Sequence, residues 1–94
     1  MTTASTAQSE DWLVYLLVSD VAERTYVGIA REMPRRLAQH NGERPGGARS
    51  TRGSRPWRVA CTWGFYATRG EAQSAEAALK KRRGWERVDW DGSH

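Results

Sequence analysis

From Leu13 to Val18 every residue is apolar or aromatic, and after a polar interval the run Thr25 to Ile29 repeats that β-branched and aromatic character. Short apolar runs separated by turn-forming residues read as strands, so the Asp20 to Glu23 interval joins the two as a hairpin. Side chains alternate faces along a strand, and antiparallel pairing about that turn places Tyr15 and Tyr26 side by side on one face. Pro34 suits a first helical turn and Asn41-Gly42 is a stop signal, which predicts a helix from about Pro34 to His40. Met33, Leu37 and Ala38 make its narrow apolar stripe, and Arg36 and His40, one turn apart, share one flank of that stripe.

Beyond that helix the pattern changes. Adjacent glycines, a proline and their hydroxyl and amide neighbours predict an irregular loop from Gly42 to Arg55, long for so short a chain. A third strand follows from Pro56 to Tyr66, where Val59, Cys61 and Trp63 alternate with Arg58, Ala60 and Thr62, and Gly64 marks a bulge or a close backbone approach. Thr68-Arg69-Gly70-Glu71 is a capping box opening a second helix, predicted to run to about Arg83 and end at Gly84, with Ala72, Ala75, Ala78 and Leu79 as its buried stripe. The segment Trp85 to His94 alternates aromatic and acidic residues; it is expected to cover a sheet face with Trp85, Val88 and Trp90, the alternative being a docking peptide for a partner. Residues 1–10 read as a disordered lead-in, 11–84 as the domain and 85–94 as its tail.

Ninety-four residues make one small domain with a thin core, which five tryptophans help to fill. A single cysteine, Cys61, excludes an internal disulfide and a cysteine-based zinc cage, which points to a reducing cytoplasm and to a small apolar role for that thiol. No run is long enough for a membrane span, and the first ten residues lack the basic start and apolar centre of a signal peptide. Charge is distributed unevenly. Residues 31 to 83 carry thirteen Lys or Arg against four Asp or Glu, whereas the remainder carries two against seven. The cationic stretch coincides with the candidate helix and loop, which favours a polyanionic partner, although arginine also serves as an ordinary solvated surface residue. Arg35, Arg44, Arg49, Arg52 and Arg55, with Lys80 beyond the loop, are the candidate nucleic-acid contacts, and Ser50, Thr51 and Ser54 stand between the loop arginines. A flexible solvated linker is the competing reading of the same loop.

Two phenols, an imidazole and a fixed cation near one sheet edge form a set suited to cleaving a phosphodiester. Glu76 has two readings. It pairs with Lys80 one turn on, or it is the ligand of one hard divalent ion, since Mg²⁺ takes one or two carboxylates and keeps several waters.

Leu13-Val14-Tyr15, then Tyr26-Val27-Gly28, then Arg36 and His40, the Arg55-Pro56-Trp57 lead into a third strand and Glu76 with Lys80 stand in an order that resembles the GIY-YIG nuclease domain, in particular its small single-domain members. The resemblance spans about Trp12 to Arg83. It implies an α+β fold, a small three-stranded antiparallel sheet flanked by helices, and a catalytic set of Tyr15, Tyr26, Arg36, His40 and Glu76. By the same resemblance Tyr15 or Tyr26 activates the water, His40 relays the proton, Arg36 grips the scissile phosphate, Glu76 holds one Mg²⁺ (or Mn²⁺) ion, and Lys80 supports the site. A free phenol is a weak base at neutral pH, so Arg36 and His40 are expected to tune it. Two departures stand out: no asparagine follows Asn41, where many members carry one after the metal-binding glutamate, and Arg31-Glu32-Met33-Pro34 replaces the usual helix cap.

The function these features imply is a divalent-metal-dependent endonuclease acting on DNA, with RNA left open, directed by substrate structure in repair or recombination, with a protein partner supplying specificity. The alternative is a non-catalytic nucleic-acid-binding adaptor. Since the expected contacts are arginines to phosphate, affinity should fall steeply with salt, each contact adding a slope of about −0.9 in log K against log salt, and should differ little between unrelated duplexes. A salt series on two such duplexes measures this; a flat response would remove the polyanion reading.

Overall fold

The computed structural model describes residues 11–92. The expected disordered lead-in, residues 1–10, lies outside the described residues, as do the last two residues of the tail. β1 (Trp12–Ser19) is the central strand of a three-stranded antiparallel sheet, with β2 (Thr25–Ala30) on one side and β3 (Trp57–Tyr66) on the other. The unbroken apolar run of β1 has its physical reason there, since residues Val14 to Ser19 are all buried and both faces of the strand are covered. In the hairpin Leu13 pairs with Ala30 and Leu17 with Tyr26, so Tyr15 and Tyr26 share a face as expected. Ser19 closes the turn by accepting hydrogen bonds from the Val21 and Ala22 amides while donating to the Ser54 carbonyl.

Each face of the sheet is packed by one helix. Met33 and Leu37 of α1 (Met33–His40) pack against Tyr15, Leu17, Ala30 and Trp57. Ala75 and Leu79 of α2 (Arg69–Lys80) pack on the other face against Val14, Leu16 and Val27. The capping box forms: the Thr68 hydroxyl accepts from the Glu71 amide, and the Glu71 carboxylate reaches back to the Ala67 amide. This is the expected α+β architecture, and no helix among the described residues is long and apolar enough to cross a membrane.

Four local expectations are corrected. β3 does not alternate cleanly: its register against β1 shifts between Trp12 and Val14 and between Leu16 and Leu17, so Val59 joins the α1 face while Cys61 and Trp63 join the α2 face. A bulge moves side chains across the sheet in this way. The first shift lies beside Gly64, where an added Cβ would sit 2.8 Å from the Leu13 side chain and 3.1 Å from the Trp12 carbonyl oxygen.

The loop is not wholly irregular, because Arg49–Ser54 forms a 3₁₀ helix. Its sequence carries no regular signal; a local turn, in which the Thr51 amide and hydroxyl both donate to the Ala48 carbonyl, is pinned by the Trp57 indole donating to the Thr51 carbonyl. α2 ends at Lys80 rather than Arg83. The Arg87 guanidinium takes the Lys80 and Arg82 carbonyls and also donates to the Thr25 hydroxyl, so the chain turns back early.

The tail covers the sheet with one aromatic where three side chains were expected. Trp90 is 5% exposed in the α2-side core and packs edge-on to Trp63, whose indole donates to the Trp90 carbonyl, whereas Trp85 and Val88 are 51% and 38% exposed. Their segment, Gly84–Asp89, is a 3₁₀ helix with no buried residue. Removing the buried aromatic with Trp90→Ala should therefore cost roughly 3 kcal/mol or more, measured as a lowered urea midpoint; an unchanged midpoint would show that the tail is dispensable to the fold.

Candidate active site

α1 is held at its C-terminal end by a two-point clamp. The Asn41 side chain donates to the Trp57 carbonyl at 2.9 Å and accepts from the Trp57 amide at 2.6 Å, tying the end of α1 to the start of β3. Arg55 adds a third point by donating to the His40 carbonyl at 2.6 Å. No side chain caps the N-terminal end, where Glu32 stands at the cap position and Pro34 in the first turn. His40 is thus the most firmly placed residue of the helix, and its ring is fully buried.

Beneath it lies the Tyr15 hydroxyl, 2.8 Å from His40 Nε2. Tyr15 reaches this position by crossing Gly28 on β2: a Cβ there would collide with the hydroxyl and lie 2.6 Å from the ring carbon that bears it. The glycine of Tyr26-Val27-Gly28 is therefore required by the path of a neighbouring side chain. Arg36 Nε donates to the Tyr15 hydroxyl at 3.2 Å, while its Nη1 donates to Gln39 Oε1 and to the Gly46 carbonyl. On the far side of the imidazole, His40 Nδ1 lies 3.1 Å from the Thr51 hydroxyl, which bonds the Ala48 carbonyl at 2.8 Å.

One arrangement of protons satisfies every member of this chain. The Ala48 carbonyl can only accept, so the Thr51 proton points to it and Thr51 Oγ1 accepts from His40 Nδ1–H. Nε2 is then the bare nitrogen and accepts the Tyr15 O–H, whose oxygen accepts in turn from Arg36. The opposite tautomer would leave the buried Tyr15 proton with no acceptor. Burial pushes the Tyr15 phenol up to about 12, outweighing the hydrogen bond and charge of Arg36, with the Tyr26 and Glu76 charges adding to the rise. Burial also lowers His40 to about 4, helped by Arg36 and then Arg55. The expected tuning of the phenol by Arg36 is thus present but overcome by desolvation.

Tyr26 completes the aromatic group, its ring 4.8 Å from His40 and 6.3 Å from Tyr15 between centroids. Unlike Tyr15 it is only half-buried, and no group hydrogen-bonds its hydroxyl among the described residues. Glu76 projects from α2 on the opposite face of the sheet, its charge reaching Tyr15, with 20% of its side chain exposed and Lys80 at 3.3 Å. The salt bridge to Lys80 is therefore formed. Among the described residues no three His, Cys, Asp or Glu converge, so Glu76 is not part of a ready-made protein cage. One half-buried carboxylate beside solvent suits an ion that keeps most of its waters, as Mg²⁺ does, and does not suit one needing a full protein cage.

The expected phosphate contacts divide into groups. Arg44, Arg52 and Arg55 line a cleft at the C-terminal end of α1, together with Gly46 and Gly47. Arg35 and Arg44 line a second cleft on the other flank of α1. Arg49 is exposed at the head of the 3₁₀ helix and lines neither, and Arg55 is engaged in holding His40. Thr51 differs most from its expected role. Read as a phosphate contact, it is fully buried and holds the imidazole, a role that no local pattern in a Gly- and Arg-rich loop reveals.

A family model described as the GIY-YIG catalytic domain matches residues 11–87. Over 49 residues the chain is 55% identical to the structure-specific endonuclease subunit slx1 of Schizosaccharomyces japonicus, covering 50% of this chain and 18% of that protein. It is 40% identical over 79 residues to the structure-specific endonuclease subunit SLX1 of Cryptococcus neoformans var. neoformans, covering 80% of this chain and 15% of that one. A UPF0213 protein of Nitratidesulfovibrio vulgaris is 40% identical over 74 residues, covering 78% of this chain and 63% of its own length. The chain thus spans less than a fifth of these two fungal relatives and under two thirds of the bacterial one.

The proton arrangement can be measured. Nitrogen-detected NMR should find His40 neutral and protonated on Nδ1 down to about pH 4, and Thr51→Val, which removes the Nδ1 acceptor but leaves the Tyr15 bond, should weaken that tautomer preference without reversing it. The unfolded imidazole binds its proton near 6.5 and the folded one near 4, so this contribution is complete above 6.5 and lost as pH falls toward 4, by at most about 1.36 kcal/mol per pH unit. His40→Gln should remove that part of the acid sensitivity.

Proposed function

Because the chain belongs to the GIY-YIG catalytic domain family, we propose that it is a divalent-metal-dependent endonuclease that hydrolyses DNA phosphodiester bonds, directed by substrate shape rather than sequence, in repair or recombination. The observation that carries this reading is the oriented chain Arg36–Tyr15–His40–Thr51, three of whose members are fully buried, set beside a half-buried second tyrosine and a cationic cleft. A purely structural core is made at lower cost from apolar side chains than from an imidazole and a phenol that hold each other in defined protonation states. The fungal relatives are named structure-specific endonuclease subunits, which supports shape-directed cleavage and a protein partner for this chain too.

Roles for the residues follow from their access. Tyr15 has no exposure and a raised pKa, so it keeps its proton and links Arg36 to His40 through hydrogen bonds that hold both in place. Tyr26 is the phenol that water can reach, and its ring lies against His40; it acts as the base only after giving its own proton to solvent, the phenolate then taking the proton of the attacking water. Arg36 has Nε and Nη1 engaged, and Nη2 makes no hydrogen bond among the described residues, leaving a donor for a non-bridging phosphate oxygen. Arg44 and Arg52 hold the flanking backbone. Glu76 would hold the divalent ion, Mg²⁺ or Mn²⁺, which when bound supplies charge stabilisation and Lewis acidity to the leaving oxygen. The adaptor reading has one observation in its favour: the Glu76 carboxylate is already paired with Lys80.

Glu76→Gln separates these readings. As a metal ligand, its loss should cut Mg²⁺-dependent cleavage of a branched DNA by ~100-fold or more, about 2.7 kcal/mol or more at about 1.36 per tenfold, with DNA affinity unchanged or higher and divalent-ion binding lost in a titration followed by NMR. As a surface ion-pair partner only, its loss should cost a few tenths of a kcal/mol and leave the metal response intact. Undiminished cleavage by the variant would refute the metal role, and no cleavage by the wild type with either ion would favour the adaptor.

A further inference from the structure

α1 presents two flanks to its surroundings. Arg36 and His40 face Tyr15, whereas Pro34 and Ala38 lie about 200° around the helix from Arg36, at 100° per residue. On that second flank a cleft of about 650 Å³ opens between α1, the start of β1 and the end of β3, within the size range of small-ligand sites. Its floor is apolar, made by Leu13, Met33, Pro34 and Ala38. Phe65 forms a wall and is 69% exposed. Arg31, Arg35 and Arg44 stand on the rim against one acid, Glu32.

This combination selects the chemistry of an occupant. The apolar floor and the open aromatic face favour a flat, uncharged ring system, and Arg35 and Arg44 favour negative charge next to it. A nucleotide carries both. A base inside a duplex does not offer its flat face, so the fit is to an unpaired one. The cleft is also continuous with the candidate active site: Arg44 lines both this cleft and the one at the C-terminal end of α1, which Gly46 lines, and the Gly46 carbonyl is bonded by Arg36. A strand leaving Arg36 therefore has a cationic path around the end of α1.

We propose that the cleft between α1 and Phe65 holds an unpaired nucleobase of the substrate, stacked on Phe65, with its neighbouring phosphates on Arg35 and Arg44; this rests on the nuclease reading above and names the feature by which substrate shape is read. Unpaired strand is present in a flap or splayed arm and missing from a plain duplex. The cleft thus supplies discrimination that phosphate contacts alone cannot.

The test is a binding experiment without divalent ions, so that cleavage does not enter. A flap DNA with 2-aminopurine in the unpaired strand, the same probe placed in the paired arm, and a plain duplex are each titrated with the full chain. The unpaired probe should be quenched by wild type and by Phe65→Tyr. Phe65→Ala, whose site is solvent-exposed and whose fold is checked by circular dichroism, should lose the quenching and about tenfold in flap affinity, in the range of one lost stacking contact, with duplex affinity unchanged. Equal flap preference in Phe65→Ala, or equal quenching of the paired probe, overturns the proposal. Concentration-dependent dimerisation in sedimentation that Phe65→Ala abolishes also overturns it, in favour of a second copy as occupant. If the wild type binds none of the three DNAs, the nuclease reading falls and the cleft proposal with it; if flap and duplex bind alike, only the cleft proposal fails.

Discussion

The hydrogen bond from the Tyr15 hydroxyl to His40 Nε2 crosses the interior between the central strand and α1, and much of the site is arranged to permit it. It needs Gly28, because any side chain there would occupy the path of the phenol. Thr51 on the far side of the ring supports it by accepting from the other nitrogen. It needs the Asn41 clamp and the Arg55 bond to the His40 backbone, without which the last turn of α1 would fray as helix ends do. Desolvation then sets the chemistry, holding the phenol neutral and the imidazole uncharged beside a guanidinium.

Arginine has two uses in this chain. A thin core leaves loop carbonyls and helix ends that hydrophobic packing cannot satisfy, and guanidinium groups with several fixed donors fill that need. Arg55 bonds the His40 carbonyl, Arg87 closes the end of α2 and reaches β2, and Arg24 bonds Ser54. Excess positive charge is thus partly architectural. What faces solvent around α1, notably Arg35, Arg44 and Arg52, is the share that can meet a polyanion.

The sheet separates the proton chain from Glu76. Tyr15, His40 and Arg36 meet on the α1 face, while Glu76 comes from the helix on the other face and is felt at Tyr15 through its charge. A site assembled from both sides of a sheet has its parts placed independently, by the α1 clamp and by the α2 capping box. Tyr26 lies on an edge strand, where the solvent that β1 excludes is within reach.

The order of elements was legible in the chain itself because each carries a local periodicity: an apolar run for the central strand, a polar turn, a proline and an Asn-Gly around α1, a capping box before α2. So was the pairing of the two tyrosines, which follows from strand alternation and one antiparallel turn. Arg36 and His40 were legible as a pair because four residues make one helical turn. Tertiary structure decided the rest. Whether Val59 and Cys61 share a face depends on a bulge set by the partner strand, the early end of α2 on an arginine seven residues beyond it, and the burial of Trp90 but not Trp85 on how the tail turns back. Thr51 is the clearest case: its neighbours mark a solvated loop, and only the packing of that loop under Trp57 and against His40 turns a surface hydroxyl into a buried acceptor. Local pattern encodes which residues can form a helix or a strand, whereas the protonation of a buried group depends on what the whole fold removes from water.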